Sequence, residues 1–167
     1  KSTLTAWFCT RVDEVGGGLW LCATHSQDGG NTDGLRAMLT RSFRTAGMDR
    51  VEAVKRIRTR LKQYNHPNMD DAKGLAQLAN PLSAAPAGSG LEVHFSNTAE
   101  KHTLIERYLR TLSKQRPLIL WMDELQYSSD SQALVELILQ SNEPSRILVV
   151  GTVQTETVES GSVLDQR

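Results

Sequence analysis

"PLILWMDELQYSSD", residues 117–130, decides how the chain folds. Pro117 stops whatever helix precedes it, and every residue of 118–122 is apolar. A short unbroken apolar run bounded by a breaker predicts a strand buried on both faces, the pattern of a parallel sheet. Asp123 and Glu124 come at once after it. Ligands of open parallel sheets sit beyond the carboxyl ends of the strands, which places both acids at the active edge. A single acid there often only caps the next helix, and a solvated loop start capping a helix at 131 is the bland alternative. Two adjacent acids beside a low-dielectric core repel each other. A cation to hold, or a proton to move, accounts for the pair.

Outward from this stretch the same pattern recurs. "LWLCAT" (19–24) lies between the Gly16-Gly17-Gly18 triplet and the loop "SQDGGN", and reads as a strand buried on both faces. "RILVVGT" (146–152) is a third continuous apolar strand. Before the triplet, residues 2–15 put Leu4, Phe8, Val12 and Val15 on one helical face with Trp7 beside them. Thr32 or Asp33 can cap a helix with the stripe Leu35, Met38, Leu39 and Phe43. Asp49 and Glu52 form a capping box ahead of Val51, Val54, Ile57, Leu61 and Tyr64. A short helix is expected near 71–79. The Pro-, Ala-, Gly- and Ser-rich run 80–90 then reads as a flexible connection, extending to about 96. Asn97 and Glu100 open a helix burying Leu104, Ile105, Tyr108, Leu109 and Leu112. Residues 131–141 complete the set. Helices alternating with apolar strands predict an α/β fold, a parallel sheet with helices on both faces.

With 167 residues the chain has room for one domain. Nineteen basic residues balance nineteen acidic ones, so no net field draws it to nucleic acid or anionic lipid. Cys9 and Cys22 lack metal-ligand spacing and read as buried thiols of a reducing compartment, hence a cytoplasmic placement. Neither a secretory signal order nor an apolar run of membrane length occurs. "KRIRTRLK" (55–62) reads as the wet face of an amphipathic helix, although a nucleic-acid contact is the rival reading. His25, His66, His94 and His102 share no ligand spacing and default to core or surface roles. Trp121 reads as bulk on a buried strand. The glycine triplet precedes a strand, which excludes a dinucleotide loop.

"LILWMDE" resembles the Walker B element of P-loop ATPases. The opening "KSTL", leading into an amphipathic helix, is similar to the end of the phosphate loop G-x-x-x-x-G-K-[ST], beyond its last glycine. The stretch "RPLILWMDELQYSSDSQALVELILQ" with "RILVVGTVQTE" resembles the AAA-type ATPase domain of signal-transduction ATPases with numerous domains, also called origin-recognition-like AAA. The likeness covers the last third of the chain and, by position, its first few residues.

That resemblance implies a three-layer P-loop NTPase fold binding ATP and Mg2+. Lys1 is then the phosphate lysine, Ser2 the magnesium hydroxyl, and Thr3 lies near the α-phosphate. Asp123 holds magnesium, Glu124 is the general base, and Thr152 contacts the γ-phosphate or water. The glycine cradle is not in this sequence, so the expectation is a partial domain over 1–167, its first strand missing. That strand is expected between the acid-bearing strand and the strand at 146–152, and the isolated piece is expected to be poorly stable and inactive. Two departures stand out: the family's W-A-D is here Tyr127-Ser128-Ser129-Asp130, and its usual arginine is Gln154. Two functions stay open, an ATP-hydrolysing regulatory module or a nucleotide-binding scaffold without efficient turnover. The partners implied are nucleotide, other domains of the same polypeptide (kinase, cyclase, DNA-binding or helical-repeat), and protein partners or self-association. Neither membrane nor, through this domain, nucleic acid is implied.

Overall fold

The computed structural model describes residues 2–29 and 34–154. Strands β1 (Leu19–Thr24), β2 (Leu118–Asp123) and β3 (Ile147–Gly151) form a parallel sheet in the order β1-β2-β3. Helices α1 (Ser2–Glu14), α2 (Gly34–Phe43), α3 (Arg50–Gln63), α4 (Asp71–Ala79), α5 (Thr98–Gln115) and α6 (Ser129–Gln140) flank it. The α/β class and the three parallel strands are those the apolar runs predict. Lys1, Thr32 and Asp33 lie outside the described residues, and with them the capping expected of the last two.

β2 is central, and 118–122 are buried throughout, as an apolar run with a neighbour on each side requires. Its direct pairing with β3, from Leu118↔Ile147 to Met122↔Gly151, corrects the expected missing strand between them. With both hydrogen-bonding edges of β2 taken, an added strand has a place only outside β1 or β3. β1 is likewise not buried on both faces. Among the described residues it is an edge strand, with Thr24 exposed and Trp20 37% exposed.

Alternation along the strands divides the apolar residues into two layers. Leu118, Leu120 and Met122 join Ala23 in the main core, built by α2 to α6. Ile119 and Trp121 face the other way and meet Cys9 of α1, with Ala6, Val12, Cys22 and Val150 packed around them. The expected apolar stripe of α1 is therefore mostly turned out: Leu4, Trp7 and Val15 are over 60% exposed and Phe8 is 39% exposed. The sheet takes the narrower stripe Ala6, Cys9 and Val12, whose smaller side chains allow close approach. Cys22 is half-buried rather than buried, while Cys9 is fully so. Burial pushes both thiols above their ordinary range.

Local signals explain the ends of the elements. Gly16, at φ +68°, makes the left-handed exit from α1. A Cβ on Gly18 would lie 2.7 Å from the Pro117 carbonyl, so the entry to β1 admits no side chain. Asp49 Oδ1 accepts from the Glu52 amide at 2.8 Å, and Asn97 Oδ1 from the Glu100 amide at 2.9 Å, as both capping boxes predict. Leu104, Ile105, Tyr108, Leu109 and Leu112 of α5 are buried.

On α3 the pattern needs one correction. Val51 is 47% exposed, while Arg50 is buried and donates to Gln77 and to the carbonyls of Asn80 and Ser83. An ion head that finds one oxygen on α4 and two at the start of the connection after it is buried at less cost than its charge suggests. Lys55, Arg56 and Arg58 face water and Ile57 and Leu61 the core, as expected of a wet helix face.

Candidate functional site

The parallel register brings the carboxyl ends of all three strands to one rim. Thr24 pairs with Asp123 and Met122 with Gly151, so His25, Glu124 and Thr152 follow at the same level. The start of α1 reaches this rim as well. Ser2 Oγ donates to Asp123 Oδ1 at 2.7 Å, joining residues 121 positions apart. Thr152 Oγ1 donates to the same oxygen. Thus Ser2 and Asp123, the two residues expected to hold an ion, meet at one carboxylate oxygen with Thr152, the residue expected to contact phosphate or water. Thr3 is exposed in the first turn of α1, and Lys1 is outside the described residues.

Glu124 turns away from the strand. Its backbone lies at φ 54°, ψ 45°, a left-handed conformation costing a non-glycine residue about 1–2 kcal/mol. Three contacts hold it there. The Glu124 amide donates to Thr152 Oγ1 at 3.2 Å, the Leu125 amide donates to the Thr152 carbonyl at 3.0 Å, and Gln154 Nε2 donates to Glu124 Oε1 at 2.8 Å. A 3-10 turn, Leu125–Tyr127, leads into α6. That helix is capped by Ser128, whose Oγ accepts from the Ser131 amide at 3.2 Å. Neither acid caps it, so the bland account of Asp123 and Glu124 does not describe this turn.

Among the described residues neither acid makes an ion pair with Lys, Arg or His. Their oxygens are met there by hydroxyls and an amide, neutral donors that leave the carboxylate charge in place. Ser2 Oγ and the Asp123 carboxylate are hard-oxygen donors, a set that fits Mg2+, which commonly takes one or two carboxylates and completes its shell with water and phosphate. No cluster of three or more His, Cys, Asp or Glu able to hold a metal occurs among the described residues.

The histidines mostly take the core and surface roles expected of them. His94 is exposed. His66 is buried between Thr111 Oγ1 and Asp71 Oδ2, each at 2.7 Å, and His102 meets Asp130 at 2.8 Å. His25 is different because its partners belong to the rim: the Asp123 carbonyl and Ser131 Oγ, each at 2.7 Å. Sequence reasoning missed it. The available signal was its place, one residue past the end of an apolar strand.

No protein-family model, no curated protein and no solved structure matches the chain. Among the described residues, no helix is long and apolar enough to cross a membrane.

Proposed function

We propose that the chain forms the nucleotide-handling part of a P-loop ATPase of the AAA type, working as a regulatory module of the signal-transduction ATPase kind. The observation that carries this reading is the 2.7 Å bond between Ser2 and Asp123. A hydroxyl at a helix start and a carboxylate at a strand end meet where a phosphate-bound magnesium needs both. Helix N-termini favour anions through their free N–H groups and dipole, and α1 begins at this rim.

In this reading Ser2 and Asp123 would hold Mg2+, which would supply charge neutralisation to the transferring phosphoryl group. Lys1 would bind the same phosphates and Thr3 the α-phosphate, the roles that the resemblance implies. Glu124 would accept the proton of the attacking water, and Thr152 fixes the Glu124 amide and the Asp123 carboxylate. Preorganised donors of this kind cost no reorganisation as charge develops.

A second reading, a nucleotide-binding switch without efficient turnover, draws on a different contact. Gln154 already occupies one oxygen of Glu124, in the place where the resembled family carries arginine. ATP hydrolysis by the full-length polypeptide and its Glu124→Gln variant separates the two. The hydrolytic reading expects turnover in the wild type and a loss of about 100-fold or more in the variant, with ATP affinity retained. Undiminished phosphate release from Glu124→Gln sinks the general-base role. Tight ATP binding with no release by the wild type favours the switch.

A further inference from the structure

We propose that His25 is a positioning residue for Glu124, acting through the peptide bond between Asp123 and Glu124. Its effect on turnover rests on the hydrolytic reading, whereas its geometry stands apart from that reading. The carbonyl of this peptide accepts twice from His25, from the backbone amide at 3.1 Å and from Nδ1 at 2.7 Å. Its N–H donates to Thr152 Oγ1 at 3.2 Å. One peptide plane is thereby gripped from β1 on one side and from the end of β3 on the other.

The grip fixes the histidine tautomer. A carbonyl only accepts, so Nδ1 carries the proton. In the neutral ring Nε2 is then the acceptor, and Ser131 Oγ donates to it at 2.7 Å. Ser131 itself is fully buried and its amide closes the cap of α6 on Ser128. The ring, 3% exposed, thus ties together the end of β1, the acid turn and the first turn of α6.

The target of the grip is the residue with the unusual backbone. Continued strand geometry would send the side chain of residue 124 to the opposite face from Asp123. The left-handed turn breaks that alternation, and it persists only because its flanking groups are held. Without the Nδ1 bond the peptide keeps only its bonds to the His25 amide and to Thr152 Oγ1, so its plane is held less firmly and the carboxylate direction loosens while Ser2 and Asp123 keep theirs. Loss of His25 should therefore act on kcat rather than on nucleotide affinity.

The test compares wild type, His25→Ala, His25→Asn and Ser131→Ala in the full-length polypeptide. His25→Asn is the rescue, in which the asparagine Nδ2 stands in for Nδ1, and Ser131→Ala is the milder variant should His25→Ala fold poorly. Expected are a kcat about tenfold lower in His25→Ala with KM for ATP within about twofold, most of that loss restored in His25→Asn, and a loss of a few-fold in Ser131→Ala. Independently of turnover, hydrogen exchange at the Glu124 amide should quicken about tenfold in His25→Ala and far less in His25→Asn. Nitrogen shifts of His25 should report the Nδ1–H tautomer. An Nε2–H tautomer, or Glu124 exchange unchanged in His25→Ala, overturns the proposal. A wild type that hydrolyses no ATP removes the hydrolytic reading, and the exchange and tautomer results still decide the clamp.

Discussion

The two faces of the sheet are built on different terms. One carries the main core, where Leu39, Ile57, Leu61, Leu75, Leu109 and Leu120 are all fully buried. The other carries α1 alone among the described helices, seated on Ile119 and Trp121 through Cys9, with its larger apolar side chains left outward. Stability is therefore concentrated on the helical side. The proposed phosphate contacts come from the start of the lightly anchored helix, while the acids stand on the strand most firmly held. Such a division lets a ligand-bearing element adjust without disturbing the carboxylates, since elements with few buried contacts open at low cost.

The comparison is tested hardest from the inside. Leu120→Ala removes a fully buried side chain from the helical face and should cost about 3–5 kcal/mol in urea-unfolding free energy. A cost near ~1 kcal/mol would mean that this core is not the main source of stability.

Tyr108 sharpens the same point through pH. Burial pushes its phenol up to about 12, although the 2.6 Å contact with Ser42 Oγ pulls the other way. In the unfolded chain the phenol ionises near ~10. The native state keeps its proton where the unfolded state has lost it. The associated stability is thus fully present below the unfolded value and is lost as pH rises from about 10 toward 12. On the order of 2–3 kcal/mol is at stake over that interval. Urea melts at stepped alkaline pH should show this loss, and Tyr108→Phe should remove its share. Identical slopes in the two proteins would break the assignment. At the other extreme, Trp7→Ser on the outward stripe of α1 should change stability by no more than about 0.5 kcal/mol. A larger loss would show that this stripe is covered in solution.

Much of the architecture was legible because it depends on local chemistry. Apolar runs gave the three strands, and Asp49 and Asn97 marked two helix starts correctly. Strand order was not legible, because periodicity carries no information about which edge meets which. The inward side of α1 was misread for a related reason: hydrophobicity ranks Leu4 and Trp7 above Ala6 and Cys9, whereas close packing on a sheet favours the small pair. At the site, adjacency in sequence exposed Asp123 and Glu124, and motif order pointed to Ser2. His25 stayed hidden because its role runs through a backbone carbonyl, which leaves no side-chain signature at the other end. The left-handed backbone of Glu124 was hidden too, since glutamate carries no preference for that region.

The direct union of β2 and β3 bears on how the sheet can grow. Its β1 border is guarded, since the Arg41 guanidinium reaches back 2.8 Å to the Cys22 carbonyl and plants a hydrated charge beside that strand. The border of β3 has an apolar groove instead, formed with α6 by Val135, Leu139, Leu148 and Val153. Among the described residues the two borders of the sheet therefore differ in kind, a charge beside β1 and an apolar groove beside β3.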